Sequence, residues 1–379
     1  CGTTPEHIAA MREAISTYLP DHTTQWAITV THAASTETFP EEELAQRTHL
    51  QEDLEAGRFV VSAELDPPKG LNPRKIMDGA AHLREAGVRY INIADSPMAR
   101  VRMSCMALAR LLRDHLDLES ILHFTTRDRN LMAIQSDLLG AHALGSHNIL
   151  ALTGDPVRAG NYPNLTGVWD VDSVGLVRIL KGMNEGHDAA GGSLGLPARF
   201  FIGAALNLNM EDRLIDVDQE RARRKLARSA ELANEVAHEL WAEHGQMTET
   251  ELELHRLRHK LDAGAQFIMT QPIYELAPLE RLIERFGPVQ APIILGMIPL
   301  HSAKHAEYLH NEVPGMSIPD EVRARMREAG EHGREVGIAL ARDIITQARA
   351  RGLIQGCYLM PSYGRYDLVA DLARELLEG

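Results

Sequence analysis

Hydrophobic and polar positions alternate along this chain in two periods. From Arg58 onward, short apolar runs of four to eight residues, each closed by Gly, Pro, Asn or Asp, are separated by longer stretches with apolar residues at helical spacing. The runs predict eight strands: Phe59–Leu65, Tyr90–Ala94, Ile121–Thr125, Ile149–Leu152, Arg199–Leu206, Ala265–Thr270, Pro292–Ile298 and Ile354–Leu359. The intervening stretches predict helices over Ile76–Ala86, Met103–His115, Leu131–Leu144, Val171–Met183, Pro278–Phe286, Ala303–Asn311, Asp320–Arg351 and Asp367–Leu377. Asp216 to Gly264 breaks the repeat. It reads as a helix from about Asp218 to His244 and a second one opened by the capping box Thr248-Glu-Thr-Glu251. Eight alternating units with no GxGxxG loop favour an α/β (β/α)8 TIM barrel over an open Rossmann sheet. Before Arg58 the chain is polar, with Pro20, Pro40 and an acidic region beginning at Glu41. Residues 1–57 therefore read as a helical extension and linker, and 58–379 as the barrel. In the extension, Thr4 as N-cap, Pro5 and Glu6 start a helix whose apolar face is Ile8, Met11, Ile15 and Tyr18.

Composition narrows the function. At 379 residues and 44% hydrophobic content the chain can bury a large core. No run approaches the roughly 20 apolar residues of a membrane span, and there is no signal-peptide pattern, so a cytoplasmic protein without a membrane partner is expected. A net charge of −14 argues against nucleic acid. Cys1, Cys105 and Cys357 are too few and too far apart for a disulfide framework or a metal site, so no metal is expected.

Polar groups that the apolar strands would carry to one rim are Glu64, Asp95, His123 with Thr125, Asp155, Asn207 with Asn209, and Gln271. Each has a plainer reading: Asp155 as a helix cap, Glu64 as a solvated carboxylate, His123 as a core histidine, Gln271 as a loop amide. Together they suggest a pocket in which one carboxylate is kept protonated as an acid while another stays ionised and stabilises a cation. Arg127 and Arg129, just past strand three, could meet an anion.

Several motifs in order resemble the 5,10-methylenetetrahydrofolate reductase family: Ser62-Ala-Glu64 with Pro67-Pro68, Asn92-Ile-Ala-Asp95, His123-Phe-Thr-Thr-Arg-Asp-Arg129, Ala151-Leu-Thr-Gly-Asp155, Asp262-Ala-Gly-Ala265 and Thr270-Gln271-Pro272. They are most similar to the reductase half of bacterial bifunctional homocysteine S-methyltransferase/methylenetetrahydrofolate reductases. The opening Cys1-Gly-Thr-Thr-Pro resembles the end of the methyltransferase half, which implies a methyltransferase domain upstream in a longer protein.

The resemblance implies FAD, NADH or NADPH as co-substrate, ping-pong reduction of 5,10-methylenetetrahydrofolate to 5-methyltetrahydrofolate, and a homo-oligomer. It implies Glu64 as the acid for the leaving amine and Asp155 beside the flavin and the pterin. FAD contacts are implied at Asp95, His123, Leu152, Thr153, Gly154, Asp155, Asp172, Ser173, Asn207, Asn209 and Lys260; on spacing alone Lys260 could equally be a solvated helix lysine. Substrate contacts are implied at Glu64, Asp155, Gln271, Tyr358 and Arg365. Asp95, Thr153, Asn209 and Ala303 depart from the single-activity reductases, which leaves open flavin affinity and donor choice. Two other readings stand beside this one: a flavin-free folate reductase, and a non-catalytic folate-binding module serving the methyltransferase domain.

Overall fold

The computed structural model describes residues 47–162, 164–210, 214–216, 246–313 and 315–378, together with Thr4, Glu6, His7, Ala9, Ala10 and Glu13. Two compact units divide between Glu43 and Leu44. In the first, the backbone at Glu6, His7, Ala9, Ala10 and Glu13 is helical, and the Thr4 hydroxyl accepts from His7 N at 3.5 Å, as a Thr cap should. Cys1, residues 14–46 of the expected extension and linker, and the helix expected over Asp218–His244 lie outside the described residues.

The second unit opens with α1 (His49–Glu55), then β1 (Val60–Leu65), α2 (Arg74–Glu85), β2 (Tyr90–Ile93), α3 (Cys105–Leu116), β3 (Glu119–Thr125), α4 (Leu131–Ala143) and β4 (Asn148–Leu152). It continues with α5 (Ser173–Asn184), β5 (Phe201–Leu206), the short antiparallel pair β6 (Leu214–Asp216) and β7 (Gln246–Thr248), and α6 (Glu249–Ala263). The last part is β8 (Phe267–Thr270), α7 (Ala277–Phe286), β9 (Ile293–Met297), α8 (Ala303–Glu312), α9 (Asp320–Glu328), α10 (Gly333–Ala350), β10 (Gly356–Leu359) and α11 (Tyr366–Glu378). Strands β1-β2-β3-β4-β5-β8-β9-β10 close on one another, all parallel, so the molecule is a (β/α)8 barrel. Among the described residues no helix is long and apolar enough to cross a membrane.

Each barrel strand is buried on both faces, which is why it reads in sequence as an unbroken apolar run. One set of side chains packs outward against the helices, and the other fills the interior. At the N-terminal end the interior holds Val60, Tyr90, Phe201 and Phe267, the last two stacked at 4.7 Å between ring centres. Leu50 and Leu54 of α1 close that end. The Thr48 hydroxyl caps α1 by accepting from Gln51 N, and the Glu119 carboxylate accepts from His49 N and Leu50 N. Leu50 is fully buried, so Leu50→Ala removes interior packing at a site the strands cannot collapse into. It should cost about 2–5 kcal/mol, read as a lower urea midpoint with an unchanged slope.

The capping box at Thr248 and Glu251 is present and starts α6. The stretch Asp320–Arg351, expected as one helix, is two. Gly330 takes a φ of +53, which ends α9 in a short 3-10 turn before α10 begins at Gly333.

Candidate active site

The strands deliver their C-terminal residues to one rim, and most of the candidate residues sit there. On β1, Val60, Ser62 and Glu64 share the inward face, and Glu64 is the one part-exposed position of the strand, at the barrel mouth. Its register partner is Asn92. Burial first, and then the neighbouring Asp66 carboxylate, raise the Glu64 pKa to about 8. Asp66 is itself pushed upward by burial, offset in part by Arg102 at 3.6 Å. The phenol of Tyr366, at the start of α11, rises to about 12 by burial and by the two carboxylates, so these acids form one cluster.

Below Glu64 lies a buried polar row. His123 Nε2 is 3.1 Å from Asn92 Oδ1, Asn92 Nδ2 donates to Ser62 Oγ at 2.8 Å, and Ser62 Oγ donates to Cys357 O at 3.4 Å. Burial brings the His123 pKa down to about 4, with Asp95 opposing, so the ring is neutral at ordinary pH. Tyr358 sets its ring edge-on to His123 at 5.7 Å. It is 5% exposed, inside the barrel. Arg365 is exposed beyond β10.

Beyond β4, Gly154 takes a φ of +87, and this left-handed turn carries the exposed Asp155 out of the strand. The Asp155 carboxylate accepts from Met98 N at 2.8 Å, joining the loops after β2 and β4; it does not cap a helix. Asp172 does: its Oδ1 accepts from Val174 N and Gly175 N at the start of α5. Ser173 N donates to the Thr153 hydroxyl, and Thr153 O accepts from Arg127 N and Trp169 Nε1. Leu152 is the half-buried last residue of β4.

Two groups of cations serve this rim differently. Arg129 donates to Asp95 at 2.6 Å, to Asp137 and to Thr125 O, with its guanidinium 4.5 Å from the centre of the Phe124 ring. Arg127 donates to Asp128, Ser96 O and Asp155 O. With Arg100 they line a cavity of about 360 Å³ in which Asp95, Asp128 and Asp137 balance their charge. Past β5, Lys260 donates to Ala205 O at 2.6 Å, and Arg256 and Lys260 lie 3.3 and 3.8 Å from the carboxylate of Glu253. Glu253 also accepts from Asn207 N, Asn207 Oδ1 accepts from Asn209 N, and Asn209 Nδ2 donates to Pro272 O beside the exposed Gln271.

The donor set suits a dinucleotide with a flat ring. Amides and strand-end peptides can edge the ring, and Lys260 and Arg256 past β5 are cations of the kind that can meet its pyrophosphate. Sequence reading passed over Ser62, Asn92 and Glu253 as site groups. The signals were there: polar residues in period two with Glu64 on β1, and an acidic residue seven before Lys260, two helical turns away on the same face. Among the described residues no group of three His, Cys, Asp or Glu side chains could hold a metal ion.

The sequence model of the methylenetetrahydrofolate reductase family matches residues 49–199 and 236–361, more than half of the chain. The chain belongs to the methylenetetrahydrofolate reductase family. It is 26% identical over 235 residues to methylenetetrahydrofolate reductase 2 of Saccharomyces cerevisiae; the match takes in 59% of this chain and 31% of the yeast protein, so the chain spans about a third of that relative. In structure it is similar to a Clostridium thermocellum protein that binds two copies of 5-methyl-5,6,7,8-tetrahydrofolic acid. There the TM-score is 0.50 at 11% identity over 87% of this chain and 99% of that one, a likeness of fold.

Proposed function

We propose that this chain reduces 5,10-methylenetetrahydrofolate to 5-methyltetrahydrofolate with FAD as cofactor and NADH or NADPH as donor, by a ping-pong mechanism. It would serve as the reductase half of a protein with an upstream homocysteine methyltransferase domain, assembled as a homo-oligomer. The observation that carries the reading is Glu64: in a chain of this family, the barrel mouth holds a carboxyl that stays protonated up to about pH 8. Opening the five-membered ring of the substrate breaks a carbon–nitrogen bond, and the departing N10 amine needs a proton. Glu64 supplies it, and water at the mouth returns it after each turnover. The fragment left on N5 is a cation. Asp155, exposed on the same rim with its carboxylate oriented by Met98 N, stabilises that charge.

Bound FAD supplies the hydride transfer that neither carboxylate can perform. In this reading Lys260 meets the pyrophosphate with Asn207 and Asn209 alongside. Leu152, Thr153, Gly154 and Asp155 would hold the edge of the ring, with Asp172 and Ser173 at the α5 terminus and His123 in the barrel as further contacts. Asp95 stands at its margin. Gln271 would contact the flat substrate ring, Glu64 and Asp155 would meet the reacting atoms, and the exposed Arg365 would meet the carboxylates of the glutamate tail. Tyr358 acts by holding the His123 ring.

An anaerobic absorption spectrum tests the reading. The purified chain should show flavin bands that bleach with NADH or NADPH and return on adding methylenetetrahydrofolate, with 5-methyltetrahydrofolate formed. A colourless protein that turns over would replace it with direct nicotinamide reduction. A protein that binds folate but never turns over, even with added FAD, would replace it with a binding module.

A further inference from the structure

We propose that Ser62 and Asn92 are positioning residues: they hold His123 in the tautomer that carries its proton on Nε2, so that Nδ1 accepts a hydrogen bond from a donor group on the molecule bound at the barrel mouth. The argument is one of proton supply. Ser62, Asn92 and His123 come from the inward faces of three adjacent strands, and all three are buried. The Ser62 hydroxyl has one proton and gives it to Cys357 O, a carbonyl that can only accept. At 2.8 Å from Asn92 the hydroxyl must then accept, which turns the amide Nδ2 toward Ser62 and Oδ1 toward His123. Amide Oδ1 can only accept, so Nε2 at 3.1 Å must donate. All three bonds run in one direction, and their terminus is a backbone group fixed by the pairing of Val61 with Cys357 between β1 and β10.

The remaining ring nitrogen, Nδ1, is an acceptor as long as the imidazole is neutral, and burial keeps it so although Asp95 opposes. What accessibility the ring keeps lies toward the mouth, because Tyr90, Ile121 and Leu150 fill the interior beneath it. The edge-on Tyr358 restrains its rotation. A fixed acceptor at that depth selects a heterocycle with a ring N–H or amino donor on its facing edge, the kind of edge that isoalloxazines and pterins carry, and disfavours one with carbonyls alone. The ligand class rests on the proposed function; the tautomer does not.

The test is ring-nitrogen NMR on the full chain with ¹⁵N-labelled histidine, the His123 signals being identified by their loss in His123→Gln. The wild type should show a pyridine-type Nδ1 and a pyrrole-type Nε2 between pH 6 and 8. Asn92→Leu should mix the tautomers and raise the FAD dissociation constant or the folate KM about tenfold, the loss of roughly one hydrogen bond, with a smaller change in kcat. Asn92→Asp keeps an acceptor opposite Nε2. It should restore the single tautomer with the proton on Nε2, which a role in packing alone would not do. A pyrrole-type Nδ1 in the wild type overturns the proposal. So does a tautomer ratio that Asn92→Leu leaves unchanged, or, should that variant not fold, an Asn92→Asp protein whose His123 lacks a pyrrole-type Nε2. If the tautomer is as stated and FAD or folate binding is the same in every variant, the recognition role is overturned. A chain with the stated tautomer and no folate turnover refutes the proposed function and leaves the hydrogen-bond row standing.

Discussion

In Glu64→Gln, turnover of methylenetetrahydrofolate should fall by about 10²–10⁴-fold, the usual contribution of a positioned general acid, while the folate still binds. Glutamine keeps the size and polarity of the side chain but has no acidic proton for the departing N10 amine. Reduction of the flavin by NADH or NADPH, which needs no such proton, should change little. Equal loss in both half-reactions would remove Glu64 from the role of acid.

The pH dependence follows from the same residue. Burial and Asp66 raise the Glu64 pKa from 4.5 to about 8, so the carboxyl is protonated and competent below that value, and the wild-type rate of folate reduction should fall as pH rises through about 8. The stability effect has the matching sign. The folded state binds this proton more tightly than the unfolded chain, so the contribution of Glu64 is fully present below about pH 4.5 and is lost as pH rises through 8, where a charge must be held in a buried site. Glu64→Gln removes that loss. Its melting temperature should match the wild type at pH 5 and exceed it at pH 9, so a variant with little activity would be the more stable protein at alkaline pH.

The barrel was legible because parallel strands buried on both faces leave apolar runs that Gly and Pro punctuate. The eight runs fall within two residues of the observed strands. What the sequence hid depends on partners far along the chain. Helix α1 has only Leu50 and Leu54 for an apolar face, and its stability comes from docking under the barrel and from Glu119, about seventy residues away, so its sequence blends with the acidic linker. Strands β6 and β7 have three residues each, too few to show a period. Gly330 could have sat within a continuous helix, and only its backbone angle reveals the break between α9 and α10. The chemical types at the strand ends were visible because they interrupt apolar runs. Their pairings were not. Whether Arg129 meets an external anion or Asp95, and whether Asn92 offers its oxygen or its nitrogen to His123, is fixed by strand neighbours that no local pattern encodes.

Asp95 is where those two levels meet, since the family resemblance implies a flavin contact and the geometry shows a structural hub. Its Oδ2 accepts from Arg129 Nη1 at 2.6 Å, from the Thr125 hydroxyl at 2.8 Å and from Thr125 N at 3.2 Å. The side chains of both ionic partners are largely buried, at 9% and 17% exposure, so neither charge is well solvated without the other. Removing one partner of such a pair costs about 3–5 kcal/mol, because the remaining charge is left uncompensated. Arg129 keeps Asp137 and the face of Phe124, which places Asp95→Ala toward the lower end of that range, still one of the largest single-residue losses expected at this rim. Asp95→Asn separates the two roles. The amide oxygen can still accept from Thr125, but the charge facing Arg129 is gone, so denaturant midpoints should fall less than in Asp95→Ala. If Asp95 acts chiefly as the anchor of Arg129, flavin affinity in Asp95→Asn should follow stability and return to the wild-type value at low temperature, where the fold is intact. A flavin dissociation constant raised tenfold in a fully folded Asp95→Asn protein would show instead that this carboxylate touches the cofactor, and that Arg129 lends it to the site.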